Sequence, residues 1–377
     1  MPQYIWERLG WTNFRWQNDR LILPLGECRL LQGKLLSKVA GLGFTLESQA
    51  QVEILAEETL KTAAIEGEVL DMKAVRSSVA RKLGLPSAGF PVDRRVDGLV
   101  SVLLDATQNC DKLLTEERLC GWQAVLFPTG YSGMHRIKVG EWRGDAPMRV
   151  VSGPVGRETI HFEAPPASGI AIEMRRFIEW WEEGRGKAEG LLRAAIAHFR
   201  FIAIHPFEDG NGRIARAITD MALSQDDQQS MRYYSLSSQI MADRESYYDV
   251  LERCQKGEGD ITEWLIWFLG CFSRAIKRSE GLLSVVLDKA AFWKIYAQLP
   301  VSERQLKVIN RMLDFGRGGF EGGLTTRKYV SLANVSRATA FRELDQLLEL
   351  GIIKQNPGGG RSVSYELNWP EQTEHGF

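Results

Sequence analysis

The sequence has 377 residues, of which 44% are hydrophobic and 25% are charged, a composition typical of folded globular proteins with two or three domains at this length. The 47 basic and 48 acidic residues give a formal net charge of −1, which excludes an overall attraction to nucleic acid or to an anionic membrane surface. The chain begins without a basic segment followed by an apolar run and has no apolar stretch long enough for a membrane helix, so we expect a cytoplasmic protein that does not associate with membranes.

The N-terminal part of the sequence is predicted to be helical. Apolar residues recur at roughly helical spacing between Lys34 and Lys82, with charged residues between them. The stretch from Gly84 to Pro91 is rich in glycine and proline and interrupts this pattern. We therefore predict an N-terminal helical domain at residues 1–88.

The middle of the chain, residues 89–298, is predicted to be a second helical domain with one β-hairpin. Two β-prone segments, MRVVS and ETIHF, flank the turn sequence Gly-Pro-Val-Gly, which favours a hairpin at Met148 to His161. Helical periodicity predicts helices before and after this hairpin, at Val96 to Leu114, Ile170 to Glu183, Lys187 to Ile204, Arg213 to Ser224, Arg244 to Lys256 and Ile261 to Lys277.

The last segment, residues 299–377, is predicted to be a third domain of three short helices and a terminal hairpin. This order resembles a winged helix-turn-helix, in which the helix that begins near Ser336 would face DNA and Arg361 would lie on the wing. Basic and acidic residues are nearly equal in number here, although a DNA-binding face should be basic. DNA contact and a role in homodimer formation or target docking therefore both remain open.

The segment from His205 to Arg216 combines groups that are suited to phosphate chemistry. It connects two predicted helices, so its end forms a helix N terminus, which offers unpaired N–H groups to an anion. Gly210 and Gly212 allow the backbone to approach an anion closely. Arg213 and Arg216 are three residues apart, so both guanidinium groups can face the same phosphates.

Two further residues of this segment add metal-binding and acid–base chemistry. Asp209 is a hard oxygen donor suited to Mg²⁺, and His205 can take a proton from an attacking hydroxyl group. Each residue alone is more often structural, but their combination in one short segment predicts a functional site. The segment also matches the dinucleotide-binding pattern GxGxxA, but that fingerprint requires a preceding strand, and a predicted helix precedes it here.

The segment resembles the signature of the Fic family, HxFx(D/E)GNGRxxR, at every specified position. These positions are His205, Phe207, Asp209, Gly210, Asn211, Gly212, Arg213 and Arg216. The resemblance implies a mainly α, helical Fic fold with a β-hairpin flap. It also implies a protein adenylyltransferase that moves AMP from ATP, with Mg²⁺ or Mn²⁺, onto a Ser, Thr or Tyr hydroxyl of a target protein or of the enzyme itself.

The same resemblance implies roles for the individual residues. His205 would act as the general base, Phe207 would pack beneath the loop, and Asp209 would hold the metal on the α- and β-phosphates. Pyrophosphate would leave when the target hydroxyl attacks the α-phosphate in line.

The remaining positions of the signature are implied to bind phosphates. Residues 210–212 would form an anion hole, and Arg213 and Arg216 would bind the β- and γ-phosphates. The related Doc-type toxins, which phosphorylate, have a lysine at the position of Gly212. The glycine in this sequence therefore favours AMP transfer over phosphate transfer.

A second resemblance lies upstream, in the predicted N-terminal domain. The segment from Thr62 to Gly67, TAAIEG, resembles the inhibitory-helix motif of the family, (S/T)xxxE(G/N). In the family this glutamate, here Glu66, pairs with the second arginine of the signature, here Arg216, and displaces the γ-phosphate. The pattern alone also fits a helix that ends at a glycine cap. In some relatives the same glutamate supports removal of AMP, so a reverse activity is also open.

Two further predictions concern the contacts with the target and with the nucleotide. The hairpin from Met148 to His161 would be a flap that aligns a target segment by strand addition. Tyr247 and Tyr248 are candidates for the adenine contact, or else core aromatic residues. The alternatives to an adenylyltransferase are a DNA-binding transcriptional regulator whose Fic domain senses a nucleotide, and a Doc-like kinase or a transferase that uses another nucleotide.

Overall fold

The computed structural model describes residues 2–40, 44–86, 90–152, 157, 159–357 and 363–369. These residues are mainly helical with a few short strands, as the sequence predicts. They form two compact units: Met1–Leu42 together with Gln51–Ser279, and Gly43–Ala50 together with Glu280–Phe377. The division into three domains at residues 88 and 298 stays a prediction.

The first unit begins with three helices. They are α1 (Asn18–Ala40), α2 (Phe44–Ile65) and α3 (Met72–Lys82). Residues 44–50 of α2 are assigned to the second unit. Helices α2 and α3 lie within the predicted helical segment, whereas α1 starts well before it and continues through Pro24. A proline normally disfavours a helix interior because it lacks the N–H group of the helical hydrogen bond. Among the described residues, no helix has the length and apolar character that a membrane crossing requires.

The second half of the first unit is built around one pair of helices. Its helices are α4 (Arg94–Gln108), α5 (Glu116–Leu126), α6 (Ala167–Glu183), α7 (Gly190–Ile204), α8 (Asn211–Asp227), α9 (Leu236–Ala242), α10 (Arg244–Gln255) and α11 (Thr262–Tyr296). Residues 280–296 of α11 are assigned to the second unit. Helices α7 and α8 form the most extensive helix pair, and α4 packs against α8. Almost every residue of α7 is buried, so the loop between α7 and α8 begins at the end of a core helix. Helix α9 was not predicted.

Two short antiparallel pairs of strands precede α6. They are formed by β1 (Tyr131–Ser132) with β2 (His135–Arg136), and by β3 (Arg149–Ser152) with β4 (Thr159–Glu163). The second pair confirms the predicted hairpin and has an irregularity between Val150 and Val151. Residues 153–156 and 158 of its turn lie outside the described residues, and the first pair was not predicted.

The base of the second hairpin is packed against the N-terminal segment and α7. Phe162 of β4 is buried with Tyr4 and with Ala203 of α7. Trp6 Nε1 donates a hydrogen bond to the carbonyl oxygen of Glu163 over 2.7 Å. The hairpin is therefore held next to the end of α7, where the loop with the signature begins.

The second unit contains the predicted three helices and terminal hairpin. These are α12 (Glu303–Leu313), α13 (Thr326–Ala333), α14 (Arg337–Glu349), β5 (Ile353–Gln355) and β6 (Tyr365–Leu367). Ser302 and Gln305 form a reciprocal capping box at the start of α12, and Ser336 caps α14. The winged-helix assignment and its DNA contact stay predictions, and Arg361 lies outside the described residues.

Candidate active site

The loop between α7 and α8 has a shape that its own residues fix. His205 ends α7 in the left-handed region, with φ of 51°, and its N–H donates to Phe201 O over 2.9 Å. Gly210, with φ of 90°, begins α8. The buried Asn211 side chain accepts a hydrogen bond from Phe207 N over 2.9 Å and donates one to Phe207 O over 2.8 Å. A non-glycine residue with positive φ is uncommon, so the loop is specified by these contacts rather than by propensity.

Two further side chains support the loop from below. Phe207 is fully buried, and its ring centroid lies 5.0 Å from that of Trp142. Arg143 is also buried, and its Nε donates to His205 O over 2.9 Å while its backbone N–H donates to Pro206 O over 2.9 Å. Packing of Phe207 beneath the loop agrees with the expectation. The role of Arg143 carried no sequence signal, because an isolated arginine in a loop is normally a solvated residue.

His205 is held in the form that accepts a proton. Its burial lowers the pKa of the imidazole to about 4, and the nearby charge of Arg143 acts in the same direction. Its Nδ1 lies 3.3 Å from the carbonyl oxygen of Ile202, which can only accept a hydrogen bond. Nδ1 therefore carries the proton at neutral pH, and Nε2 is the basic nitrogen.

Asp209 offers a carboxylate at the mouth of the loop. It accepts a hydrogen bond from Ser132 Oγ in β1, and its Oδ1 lies 3.7 Å from Arg213 Nη2. Within the described residues, three His, Cys, Asp or Glu side chains are nowhere grouped as a ready-made metal site. One carboxylate together with substrate phosphates is nonetheless a usual way to hold Mg²⁺, and the partly exposed Asp209 fits that role.

Arg216 is bound to the end of α2 by three hydrogen bonds. Its Nη2 lies 2.8 Å from Glu66 Oε1 and 2.9 Å from Thr62 O, and its Nε donates to Thr62 Oγ1 over 2.6 Å. Burial acts to lower the pKa of Arg216, but the charge and hydrogen bond of Glu66, together with Tyr247 and Tyr248, raise that pKa overall. Burial conversely acts to raise the pKa of Glu66, and Arg216 lowers it. Both groups are therefore charged at neutral pH.

The position of Glu66 follows from how α2 ends. Gly67 adopts φ of 82°, and its N–H donates to Ala64 O while the N–H of Glu68 donates to Ala63 O. This is the Schellman pattern of a glycine-terminated helix. It directs the Glu66 carboxylate to Gly212, where a Cβ atom would overlap it. The segment therefore ends a helix at a glycine cap and also pairs with Arg216, so the same residues do both.

A second carboxylate meets the other arginine of the signature. Arg213 Nη1 donates to Glu68 Oε1 over 3.0 Å, and its guanidinium lies over the Phe127 ring at 4.8 Å. Both motif arginines are therefore paired with acids that follow one another closely at the end of α2. Glu68 was not among the predicted site residues, since the inhibitory motif ends at Gly67.

The two candidate adenine contacts are placed differently. Tyr247 is buried, and its hydroxyl is hydrogen-bonded to His198 Nε2 at 2.8 Å. Its ring also packs against Trp264 and Trp267, so it is a core aromatic residue. Tyr248 is 38% exposed, which leaves it as the tyrosine with a surface available to a ligand.

The hairpin of β3 and β4 is tied to the helix that carries these tyrosines. His161 Nδ1 lies 2.6 Å from Glu252 Oε2 of α10. The outward side chains of Val151 and Ile160 are exposed. The function of this hairpin as a flap stays a prediction.

Comparison with known proteins identifies two segments of the first unit. Residues 113–223 match the model of the Fic/DOC family, and residues 4–85 match a domain of unknown function, DUF4172. A protein adenylyltransferase Fic from Culex quinquefasciatus is 26% identical over 249 residues, which cover 64% of this chain and 44% of the relative. Protein adenylyltransferase fic-1 from Caenorhabditis briggsae is 27% identical over 168 residues, which cover 43% of this chain and 30% of the relative. The chain thus spans less than half the length of these relatives.

Two solved structures share the fold. A Fic family protein from Desulfovibrio desulfuricans aligns with a TM-score of 0.53 and 19% identity, covering 92% of this chain and 95% of that one. A Fic domain containing signaling protein from Bacteroides thetaiotaomicron aligns with a TM-score of 0.52 and 20% identity, covering 70% of this chain and 97% of that one. At these identities the likeness shows the fold alone.

Proposed function

We propose that this chain, which contains a Fic domain at residues 113–223, is an autoinhibited protein adenylyltransferase that moves AMP from ATP onto a hydroxyl group of a target protein. The observation that carries the proposal is the position of Glu66. Its carboxylate is paired with Arg216 and lies over Gly212, in the first turn of α8. A helix N terminus that holds a carboxylate in this way is suited to a phosphate group.

The proposed reaction uses the neutral imidazole of His205. Its Nε2 would take the proton of the target hydroxyl while the hydroxyl oxygen attacks the α-phosphorus of ATP. A P–O bond to the target forms, the bond between the α-phosphorus and the bridging oxygen breaks, and pyrophosphate leaves. Backbone N–H groups of residues 210–212 would stabilise the negative charge that develops on the α-phosphate.

Three charged side chains would hold the nucleotide. Arg213 and Arg216 would bind the outer phosphates, because both lie on the first two turns of the helix whose N-cap is Gly210. Asp209 would bind Mg²⁺ or Mn²⁺, which when present neutralises phosphate charge. Tyr248 would lie at the adenine, whereas the buried Tyr247 would support it through the core.

Inhibition would follow from competition for Arg216. The Glu66 carboxylate both removes this cation from the phosphate site and places a negative charge next to it, so that the γ-phosphate and Glu66 exclude each other. Thr62 would hold Arg216 in the inhibited position, since it accepts two of the three hydrogen bonds of that side chain. Replacing Glu66 by glycine should therefore activate the enzyme.

The test is label transfer from ATP with purified full-length chain, Mg²⁺ and no added target, read on the chain itself. We expect the Glu66→Gly variant to incorporate label from α-³²P-ATP but not from γ-³²P-ATP, and a mass gain of one adenylate. The matched control is Glu66→Gly with His205→Ala, which should incorporate none. Label from the γ-phosphate would instead support a kinase. Failure of the activated variant to bind Mg²⁺–nucleotide at all would overturn the proposal.

A further inference from the structure

The end of α2 presents two carboxylates to the signature helix, and only one belongs to the recognised motif. Glu66 is paired with Arg216 at 2.8 Å, and Glu68 is paired with Arg213 at 3.0 Å. The side chains of both arginines are at most 5% exposed. Removing the partner of a buried guanidinium costs more than breaking a surface pair, because the arginine is left with a charge that little water can solvate.

The turn at Gly67 is what brings both carboxylates to α8. In a continuous helix, residues two apart point to different sides. The left-handed Gly67 ends the helix between them and reverses the direction of the chain. The backbone hydrogen bond from Glu68 N to Ala63 O, over 3.0 Å, then fixes the position of Glu68 relative to α2.

Arg213 has few other partners. Its Nη2 lies 3.7 Å from Asp209 Oδ1, its guanidinium lies over the Phe127 ring, and its buried Nε forms no hydrogen bond within the described residues. Asp209 is moreover the proposed metal ligand, which leaves it less able to neutralise Arg213 once a metal is bound. Glu68 is therefore the principal counter-charge of Arg213 in this structure.

We propose that Glu68 is a second inhibitory carboxylate, which competes with the nucleotide for Arg213 as Glu66 competes for Arg216. The inference rests on the proposed function, because it assigns Arg213 to the phosphates of ATP. The inhibitory element then consists of both acids and the glycine between them. Its two parts form ion pairs with different phosphate-binding arginines, and each can be removed separately.

The surroundings of the two acids indicate different parts in inhibition. Glu66 lies between Gly212 and Arg216, and Arg216 is in addition fixed by Thr62, so the γ-phosphate cannot enter while Glu66 stays. Glu68 borders an open cleft of about 330 Å³ that is also lined by Leu99, Phe127, Tyr131, Ser132 and Arg213. Its side chain has room to turn into this cleft when a phosphate arrives. Glu68 therefore lowers the affinity for ATP, whereas Glu66 blocks the position of the γ-phosphate.

The experiment measures Mg²⁺–ATP binding by calorimetry in catalytically silent full-length protein, His205→Ala. Glu68→Gln is introduced with Glu66 intact and in the Glu66→Gly background. We expect Glu68→Gln to lower the Kd for ATP roughly twofold to fivefold in the Glu66→Gly background, the range of a partly exposed ion pair. Equal Kd values with and without Glu68→Gln in that background would overturn the inference.

Two further variants separate a direct pair from a general change of charge. Glu68→Asp keeps the charge but is one methylene shorter, so it should resemble Glu68→Gln if the contact with Arg213 matters. Glu116→Gln removes an exposed acid from the first turn of α5 and should leave the Kd unchanged. An aspartate variant that binds ATP as weakly as the parent, or a Glu116→Gln variant that gains as much affinity as Glu68→Gln, would count against the pair.

The readout also distinguishes this inference from the proposed function. If the Glu66→Gly protein binds ATP but Glu68→Gln leaves the Kd unchanged, only the inference falls. If the Glu66→Gly protein binds ATP and responds to Glu68→Gln but transfers no AMP when His205 is present, only the proposed function falls. If no variant binds Mg²⁺–ATP, both fall together.

Discussion

The carboxylate of Glu66 lies over Gly212, so closely that a Cβ atom on this glycine would overlap Glu66 Oε1. The same added atom would lie 3.1 Å from Arg216 Nη1. The absence of a side chain at Gly212 therefore leaves room for the Glu66 carboxylate as well as for the phosphate that Glu66 is proposed to exclude. The space above Gly212 holds the Glu66 carboxylate in this structure and would hold the phosphate in the proposed active state.

Gly212→Ala should destabilise the protein because Glu66 must give way. The carboxylate is the end of a flexible side chain, so we expect it to move away from the added methyl group. This movement leaves the buried Arg216 without its counter-charge. We expect a loss of about 1–3 kcal/mol in the free energy of unfolding, the usual cost of overpacking. In the Glu66→Gly background the loss should be smaller, because the overlapping group is absent. Urea denaturation of the four proteins of this double-mutant cycle measures the difference, and strictly additive effects would contradict the overlap.

The low pKa of His205 predicts an unusual pH profile for the activated enzyme. Burial lowers this pKa to about 4, so the imidazole is already neutral well below the ordinary histidine range. The kcat/KM of the Glu66→Gly variant for AMP transfer should therefore be nearly constant between about pH 5 and 8 and should decline only near pH 4. Glu66 acts to raise the pKa of His205, so its removal does not restore a higher value. An acidic limb near pH 6.5 would show that His205 is solvated in the active state.

The parts of the site that the sequence predicts are those that are close together along the chain. His205, Asp209, Arg213 and Arg216 fall in one segment, and a loop that ends at a helix N terminus brings them together by local geometry alone. The motif at Thr62 to Gly67 was also recognisable, because its residues belong to one helix face and one glycine cap. The main helices and the β3–β4 hairpin were likewise visible as periodicity.

The parts that the sequence did not predict depend on contacts between distant segments. Arg143, Ser132 and Glu68 reach the loop from a loop, a short strand and a helix end, and nothing in their neighbouring residues marks them. Helix α1 was only partly predicted because Pro24 is a poor indicator of a helix interior. Whether Tyr247 faced a ligand or the core depended on His198, which lies on α7.

The buried Asp220 predicts that stability falls as the pH rises. Burial raises the pKa of Asp220 from 3.8 to about 8, and the charge of Glu58 acts in the same direction, whereas Arg232 and Arg216 oppose it. The folded protein therefore keeps a proton that the unfolded chain loses near pH 4. The free energy of unfolding should fall by up to about 1.4 kcal/mol per pH unit between about pH 4 and 8 from this group. Urea denaturation across this range measures the slope.

Asp220→Asn is the control for that slope. The amide keeps the shape of the side chain but cannot ionise, so this variant should lose the part of the pH dependence that Asp220 contributes. The unfolding free energy of the variant should therefore rise steadily relative to that of the parent from pH 5 to pH 8. A constant difference would assign the pH dependence to other groups.

The packing of α2 against α9 should depend on Glu58, which lies two turns before Glu66. Its buried carboxylate accepts hydrogen bonds from Ser235 Oγ over 2.8 Å, from Ser237 N over 3.1 Å, and from Ser237 Oγ. Glu58→Ala leaves the N–H and the hydroxyl of Ser237, at the start of α9, without their acceptor, whereas Ser235 Oγ keeps Ser238 Oγ as a partner. We expect a loss of about 2–4 kcal/mol in the free energy of unfolding, measured by urea denaturation, because each buried group that loses its partner costs about 1–3 kcal/mol.

The same change should weaken inhibition although Glu58 does not touch the signature. A helix that is less firmly held lets Glu66 leave Arg216 more often, so Glu58→Ala should raise the initial rate of AMP transfer above that of the parent, measured with α-labelled ATP below the melting temperature. Glu53→Ala on the same helix is the matched control: its acid forms an exposed pair with Arg76, which contributes less than about 1 kcal/mol. It should change neither stability nor rate appreciably. A destabilised Glu58→Ala protein whose rate stays at the parental level would mean that α2 remains seated through Thr62 and Glu66 alone.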